Sequence, residues 1–156
     1  MKKILLFALL VIAVGAKAQT PAAKTNALYD EALAKKLGAD DYGMHKYIMA
    51  FLKTGPTKIA DKAKLTEIQM AHLKNISKLA DDGKLVVAGP FMDQGEVEGI
   101  FIFDVNTVEE AKALTETDPA IKAGVLVMEL RPFYCSAALM EVTKTHKKIA
   151  KKNFTN

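Results

Sequence analysis

The chain contains one cysteine and no tryptophan in 156 residues. A lone cysteine excludes an internal disulfide framework, and there is no Cys pair or Cys/His cluster at the spacing of a structural zinc site. His-Glu-x-x-His is absent, and Gly95 and Gly99 are too isolated to form a dinucleotide fingerprint or a P-loop. Neither a metal nor a nucleotide cofactor is therefore implied. One-sided charge is also missing: 22 Lys and Arg against 18 Asp and Glu give +4, and Lys2, Lys3 and Lys17 supply three of that excess in the opening segment. The rest of the chain is nearly neutral, which excludes a general attraction to nucleic acid. No internal repeat or low-complexity tract interrupts it. What remains is 50% hydrophobic and 26% charged, the composition of one globular domain with a core of its own.

The opening segment reads as an export signal. Lys2 and Lys3 precede an apolar run from Ile4 to Ala16, and Ala16-Lys17-Ala18 places small residues at the −3 and −1 positions of a signal-peptidase site. The run is well short of the roughly 20 residues of a spanning helix, and no later stretch is long enough to cross a bilayer. The sequence thus predicts cleavage near Ala18 and a periplasmic or secreted protein without an integral membrane segment. Asn75-Ile-Ser77 and Asn153-Phe-Thr155 match the glycosylation acceptor pattern, which is too short to carry weight here.

Periodicity and punctuation divide the remainder. Residues 19–41 read as a polar lead and a short docking helix, with Leu28, Tyr29, Leu33 and Leu37 at helical spacing and Gly38 as terminator. A domain follows over 42–134. Its first strand is Tyr47 to Leu52, stopped by Gly55-Pro56. Lys62 to Asp82 is a helix whose Leu65, Ile68, His72, Ile76 and Leu79 recur at three or four and share one face. Strands at Lys84 to Ala88 and Val97 to Val105 flank a turn at Asp93-Gln94-Gly95. Thr107-Val-Glu-Glu110 has the form of a capping box. Asp118-Pro119 opens a further helical turn before the last strand, Val125 to Tyr134. Residues 135–156 form a basic tail, in which Leu139, Met140 and Val142 could dock on the domain while Lys144, Lys147, Lys148, Lys151 and Lys152 make a basic end; a solvated tail is the default.

Strand, helix, strand, strand, helix, strand is the βαββαβ order of an α+β, ferredoxin-like domain with both helices on one face of an antiparallel sheet. The strands are apolar at successive positions, so the second face also requires burial. Sheet-to-sheet pairing of two copies into a homodimer is the simplest solution. The alternative is that the N-terminal helix and the C-terminal tail of the same chain cover it.

His72-Leu73, Gly83-Lys84-Leu85, Ala88-Gly89-Pro90-Phe91, Gly99-Ile-Phe-Ile-Phe103, Thr117-Asp118-Pro119, Lys122-Ala123-Gly124 and Glu129-Leu-Arg-Pro-Phe133, taken in order, resemble the YciI-like (YCII-related) family. The resemblance covers about residues 44 to 134 and lies in the combination, since each piece alone is common. It implies the dimeric α+β barrel form of the ferredoxin-like fold. It also implies a His–Asp pair as active site, which falls on His72 and Asp118 here. A related dehydrochlorinase acting on a chlorinated hydroxyquinol is the member type for which an enzymatic role is implied.

His72 interrupts an aliphatic stripe, so its ring points into the helix–sheet interior and needs a polar partner there. A carboxylate on one ring nitrogen would fix the tautomer and leave the other nitrogen to take or deliver a substrate proton. That suits a lyase or isomerase acting on a small, aromatic or enolisable molecule. The plainer alternatives are a satisfied core histidine and an Asp that only caps a helix before Pro. The same fold could equally serve as a non-catalytic ligand-binding or interaction protein. Gly89-Pro90 and Phe91 read as a strand-ending turn rather than a pocket wall, Arg131 as a strand-end surface residue, and His45 and His146 as ordinary surface residues. Cys135 lies just past the last strand, as a buried free thiol or a link to a second copy.

Overall fold

The computed structural model describes residues 26–93 and 95–152. The export signal, its cleavage after Ala18, Gln94 of the turn and the acceptor pattern at Asn153 lie outside the described residues. Ten elements follow one another: α1 (Glu31–Lys36), β1 (Met44–Thr54), α2 (Lys62–Asp81), β2 (Leu85–Pro90), β3 (Val97–Phe103), α3 (Val108–Thr115), α4 (Pro119–Lys122), β4 (Leu126–Ser136), a 3-10 turn (Ala137–Glu141) and α5 (Val142–Ile149).

The four strands form one antiparallel sheet in the order β2-β3-β1-β4, with β1 in the interior. This is the expected α+β, ferredoxin-like arrangement. β1 and β4 pair over their whole lengths, from Met44 opposite Ser136 to Thr54 opposite Leu126, so both strands run past the apolar stretches that announce them. Cys135 consequently lies inside β4 rather than beyond it. Pro132 is tolerated because β4 is an edge strand, where a missing N–H can face away from the ladder.

On the first face, Ile48, Ala50 and Leu52 of β1 and Phe101 and Phe103 of β3 meet Leu79 of α2 and Ala111 of α3, with Ile76, Val108 and Leu114 against them. Both long helices thus cover this face. Asp61 starts α2 by accepting from Ala63 N at 2.8 Å. In α3, Thr107 Oγ1 accepts from Glu110 N at 3.1 Å, but the Glu110 carboxylate returns to the N–H of Asn106 rather than to that of Thr107.

The second face is covered in part by the same chain, the alternative that the sequence leaves open. Tyr47, Val86 and Ile102 are buried there with Phe133 and Cys135 beside them, and Leu139 and Met140 of the 3-10 turn pack onto them. The tail is therefore part of the fold, not a solvated end. α5 continues along the edge strand β2, where Lys147 Nζ meets Asp81 of α2 at 2.6 Å. The N-terminal helix covers little by comparison. None of its residues is buried, Leu33 on it and Leu28 before it are exposed, and a Lys36–Glu141 ion pair of 2.7 Å ties it to the 3-10 turn. Phe51, Ile100 and Val127 share the second face but lie outside the cluster that the turn covers.

His45 is the other correction. It is no ordinary surface residue: its Nδ1 lies 2.9 Å from Gly38 O and its Nε2 2.9 Å from Asp104 Oδ1. The strand extension from Tyr47 back to Met44 brings it between the α1–β1 loop and the end of β3.

Candidate functional site

α2 is laid across the sheet by its apolar stripe, and His72 occupies the stripe's centre. Ile68 and Leu79 on either side of it are buried, so the imidazole is drawn into the same interface. Its side chain is 14% exposed, enough for one ring nitrogen to reach a ligand. The ring stacks on Phe101 of β3 with centroids 6.0 Å apart and planes inclined by 17°.

Asp118 is brought to it by a different local rule. Thr115 O accepts from Asp118 N at 3.0 Å at the end of α3, and Pro119 then opens α4 with its φ already helical. Asp118 Oδ1 accepts from Ala120 N at 2.8 Å, and Oδ2 lies 2.7 Å from His72 Nδ1. One carboxylate thus caps a helix and holds the histidine at once. Asp118 is 1% exposed, and with its carboxylate ionised it can only accept, an arrangement in which a neutral His72 holds its proton on Nδ1 and keeps the Nε2 lone pair.

Beside His72 is a cavity of about 480 Å³. Leu65, Ile68, Gln69, Leu73 and Ile76 of α2 form one wall, and Ala88 to Pro90 of β2 with Glu98, Gly99 and Phe101 of β3 form the other. Gly99 is required where these strands approach: a Cβ there would stand 2.5 Å from Gly89 O. Gly89 and Pro90 therefore do line the pocket, whereas Phe91 does not; they belong to β2 rather than to a plain turn. Gln69 and Glu98 escape the sequence reading. Gln69 was signalled by its place one turn before His72 on the same helix face, but Glu98, held by Thr54, had no local signal at all.

The remaining candidates fall elsewhere. Arg131 and Lys53 both bind Glu129, away from the cavity, and together hold its carboxyl below the usual range, Lys53 contributing most. His146 lies exposed on α5. The Asn75 amide nitrogen is buried, out of reach of a glycan in the folded chain. Among the described residues no three His, Cys, Asp or Glu side chains gather to hold a metal, and no helix is long and apolar enough to cross a membrane.

No curated protein matches the chain. Among solved structures it is similar to a 5-chloro-2-hydroxyhydroquinone dehydrochlorinase from Burkholderia phenoliruptrix AC1100 in complex with 2,5-dihydroxybenzoquinone. The two share 21% identity over 56% of this chain and 92% of that one, with a TM-score of 0.43. The YCII-related domain profile matches residues 47–134, a span holding the whole sheet core, His72 and Asp118, and the chain belongs to the YCII-related family.

Proposed function

We propose that the protein is an acid–base lyase or isomerase working on a small uncharged molecule through side chains alone. The observation that carries this reading is the 2.7 Å contact between His72 Nδ1 and a fully buried Asp118 at the wall of an open cavity. Neutral His72 takes a proton from a substrate carbon at Nε2, while Asp118 retains the Nδ1 proton and stabilises the imidazolium that forms. The carbon–hydrogen electron pair moves into a new double bond. In an elimination the leaving group departs with the displaced pair; in an isomerisation the imidazolium returns the proton to a neighbouring carbon.

The lining supports the substrate class. Its side chains are mostly aliphatic, its polar ones are Gln69, His72 and Glu98, and among the described residues no Lys or Arg lines the cavity. A carboxylate or phosphate would find no counter-charge there and would meet Glu98. A neutral ring or lactone with a hydroxyl or carbonyl group fits, and Gln69 is placed to bond it.

The protomer is one half of a homodimer in this reading. Phe51, Ile100 and Val127 form the part of the second face left by the 3-10 turn, and Lys53, Glu129 and Arg131 beside them supply both signs of charge for a self-complementary contact.

The test is turnover of a panel of uncharged hydroxylated aromatics and lactones by the wild-type protein and His72→Gln. Loss of an acid–base group reduces turnover by about 10² to 10⁴. A His72→Gln protein as active as the wild type removes the mechanism; binding without turnover on every member of the panel leaves a ligand-binding protein in its place.

A further inference from the structure

Asn75 lies one turn beyond His72 on α2, against the loop that delivers Asp118. Its Oδ1 is 3.1 Å from Thr117 Oγ1, and its Nδ2 is buried with no partner, the one such side-chain atom among the described residues. Thr117 Oγ1 is also 2.7 Å from Leu114 O. A hydroxyl has one proton, and a main-chain carbonyl can only accept. The shorter contact takes that proton, so Thr117 presents only lone pairs to Asn75. A carboxamide oxygen facing those lone pairs is repelled, whereas an NH2 group there makes a hydrogen bond. Exchanging the two ends of the amide gives Nδ2 an acceptor at Thr117, puts a carbonyl oxygen at the buried position in place of two unmet N–H donors, and completes a chain from Asn75 through Thr117 to Leu114 O.

We propose that Asn75 is the positioning residue of the His72–Asp118 pair, donating from Nδ2 to Thr117 Oγ1 and so pinning the Thr117–Asp118 turn to the helix that carries His72. The His72–Asp118 bond alone is one point of attachment, about which the turn can pivot. A second bond at the adjacent residue fixes the direction of the Asp118 carboxylate as well as its distance. The catalytic consequence rests on the acid–base reading above; the geometry of the pinning does not.

The His72 Nδ1 proton reports the arrangement directly by NMR. In the wild-type protein it gives a downfield resonance slow to exchange with water. Asn75→Ala moves it upfield and speeds exchange about tenfold, the size of one neutral hydrogen bond. Asn75→Asp, which offers only acceptors, behaves as Asn75→Ala does. Thr117→Val reproduces the effect at an exposed position that tolerates substitution, and Thr117→Ser, which keeps the hydroxyl, restores the wild-type signal. Wild-type resonances in Asn75→Asp and Thr117→Val overturn the proposal. Asp118→Asn is the control: if it alters the resonance while the Asn75 and Thr117 variants do not, the positioning role alone fails. If Asp118→Asn leaves the resonance untouched, the His–Asp pair fails with it.

Discussion

Asp118 serves two structures with one side chain, and two substitutions separate them. Asn is as good an N-cap as Asp, so Asp118→Asn keeps α4 and loses only the charged partner of His72. Asp118→Ala loses both, and should be less stable than Asp118→Asn by about 1 kcal/mol in urea denaturation. Equal stabilities would mean that the cap contributes nothing. His45 supplies a second residue-scale test. Burial, the largest single influence, pushes its pKa down, but the Gly38 carbonyl and the Asp104 carboxylate together outweigh it and the net shift is upward. Two acceptors on two ring nitrogens favour the doubly protonated ring. A pKa raised by folding contributes stability that is fully present below the unfolded value of 6.5 and is lost as pH rises through the folded value. The stability gap between wild type and His45→Gln should therefore be widest in mildly acidic buffer and shrink above neutrality; a gap that grows with pH contradicts the assignment.

Among the elements, those with a local signal were legible in the sequence. The α2 stripe, the Thr107 cap, the Asp118-Pro119 helix start and the βαββαβ order all depend on residues a few positions apart, and the chain carries them openly. Elements stabilised from far away were not legible. Leu139 and Met140 read as able to dock, but they precede a lysine-rich stretch solvated by default, and no local pattern shows that they pack at Tyr47, Val86 and Ile102. His45 likewise has its partner 59 residues on, at Asp104. The candidate site shows the same division. His72 and Asp118 were visible, but the cavity walls from β2 and β3 arise from strand pairing that no local pattern reveals. This makes the 3-10 turn testable. Leu139→Asp should cost about 2 kcal/mol, measured as a lowered denaturation midpoint, because it places a charge in an apolar cluster. A solvated tail would absorb the change within about 0.5 kcal/mol.

At the scale of the whole molecule, the second face decides how many copies work together. The tail covers its Tyr47 end, and in the proposed homodimer the Phe51–Ile100–Val127 end meets a second copy. Val127 is 42% exposed in the protomer, so Val127→Asp leaves the single fold intact while placing two carboxylates in the shared contact. Sedimentation should show a dimer for the wild type and a monomer for the variant with an unchanged circular dichroism spectrum. A wild type that sediments as a monomer would show that self-covering is sufficient. The cavity opens on the opposite face of the sheet, between α2 and the β2–β3 pair, so each protomer carries its complete His72–Asp118 site whichever way this resolves.

The step proposed for this cavity is removal of a proton from carbon by His72 Nε2. It is tested most directly in D2O, by mass spectrometry of small neutral enolisable ketones and lactones incubated with the protein. Deuterium should enter at the acidic carbon of at least one of them with the wild-type protein, and incorporation should fall at least about a hundredfold with His72→Gln. Equal incorporation by the two proteins would contradict it.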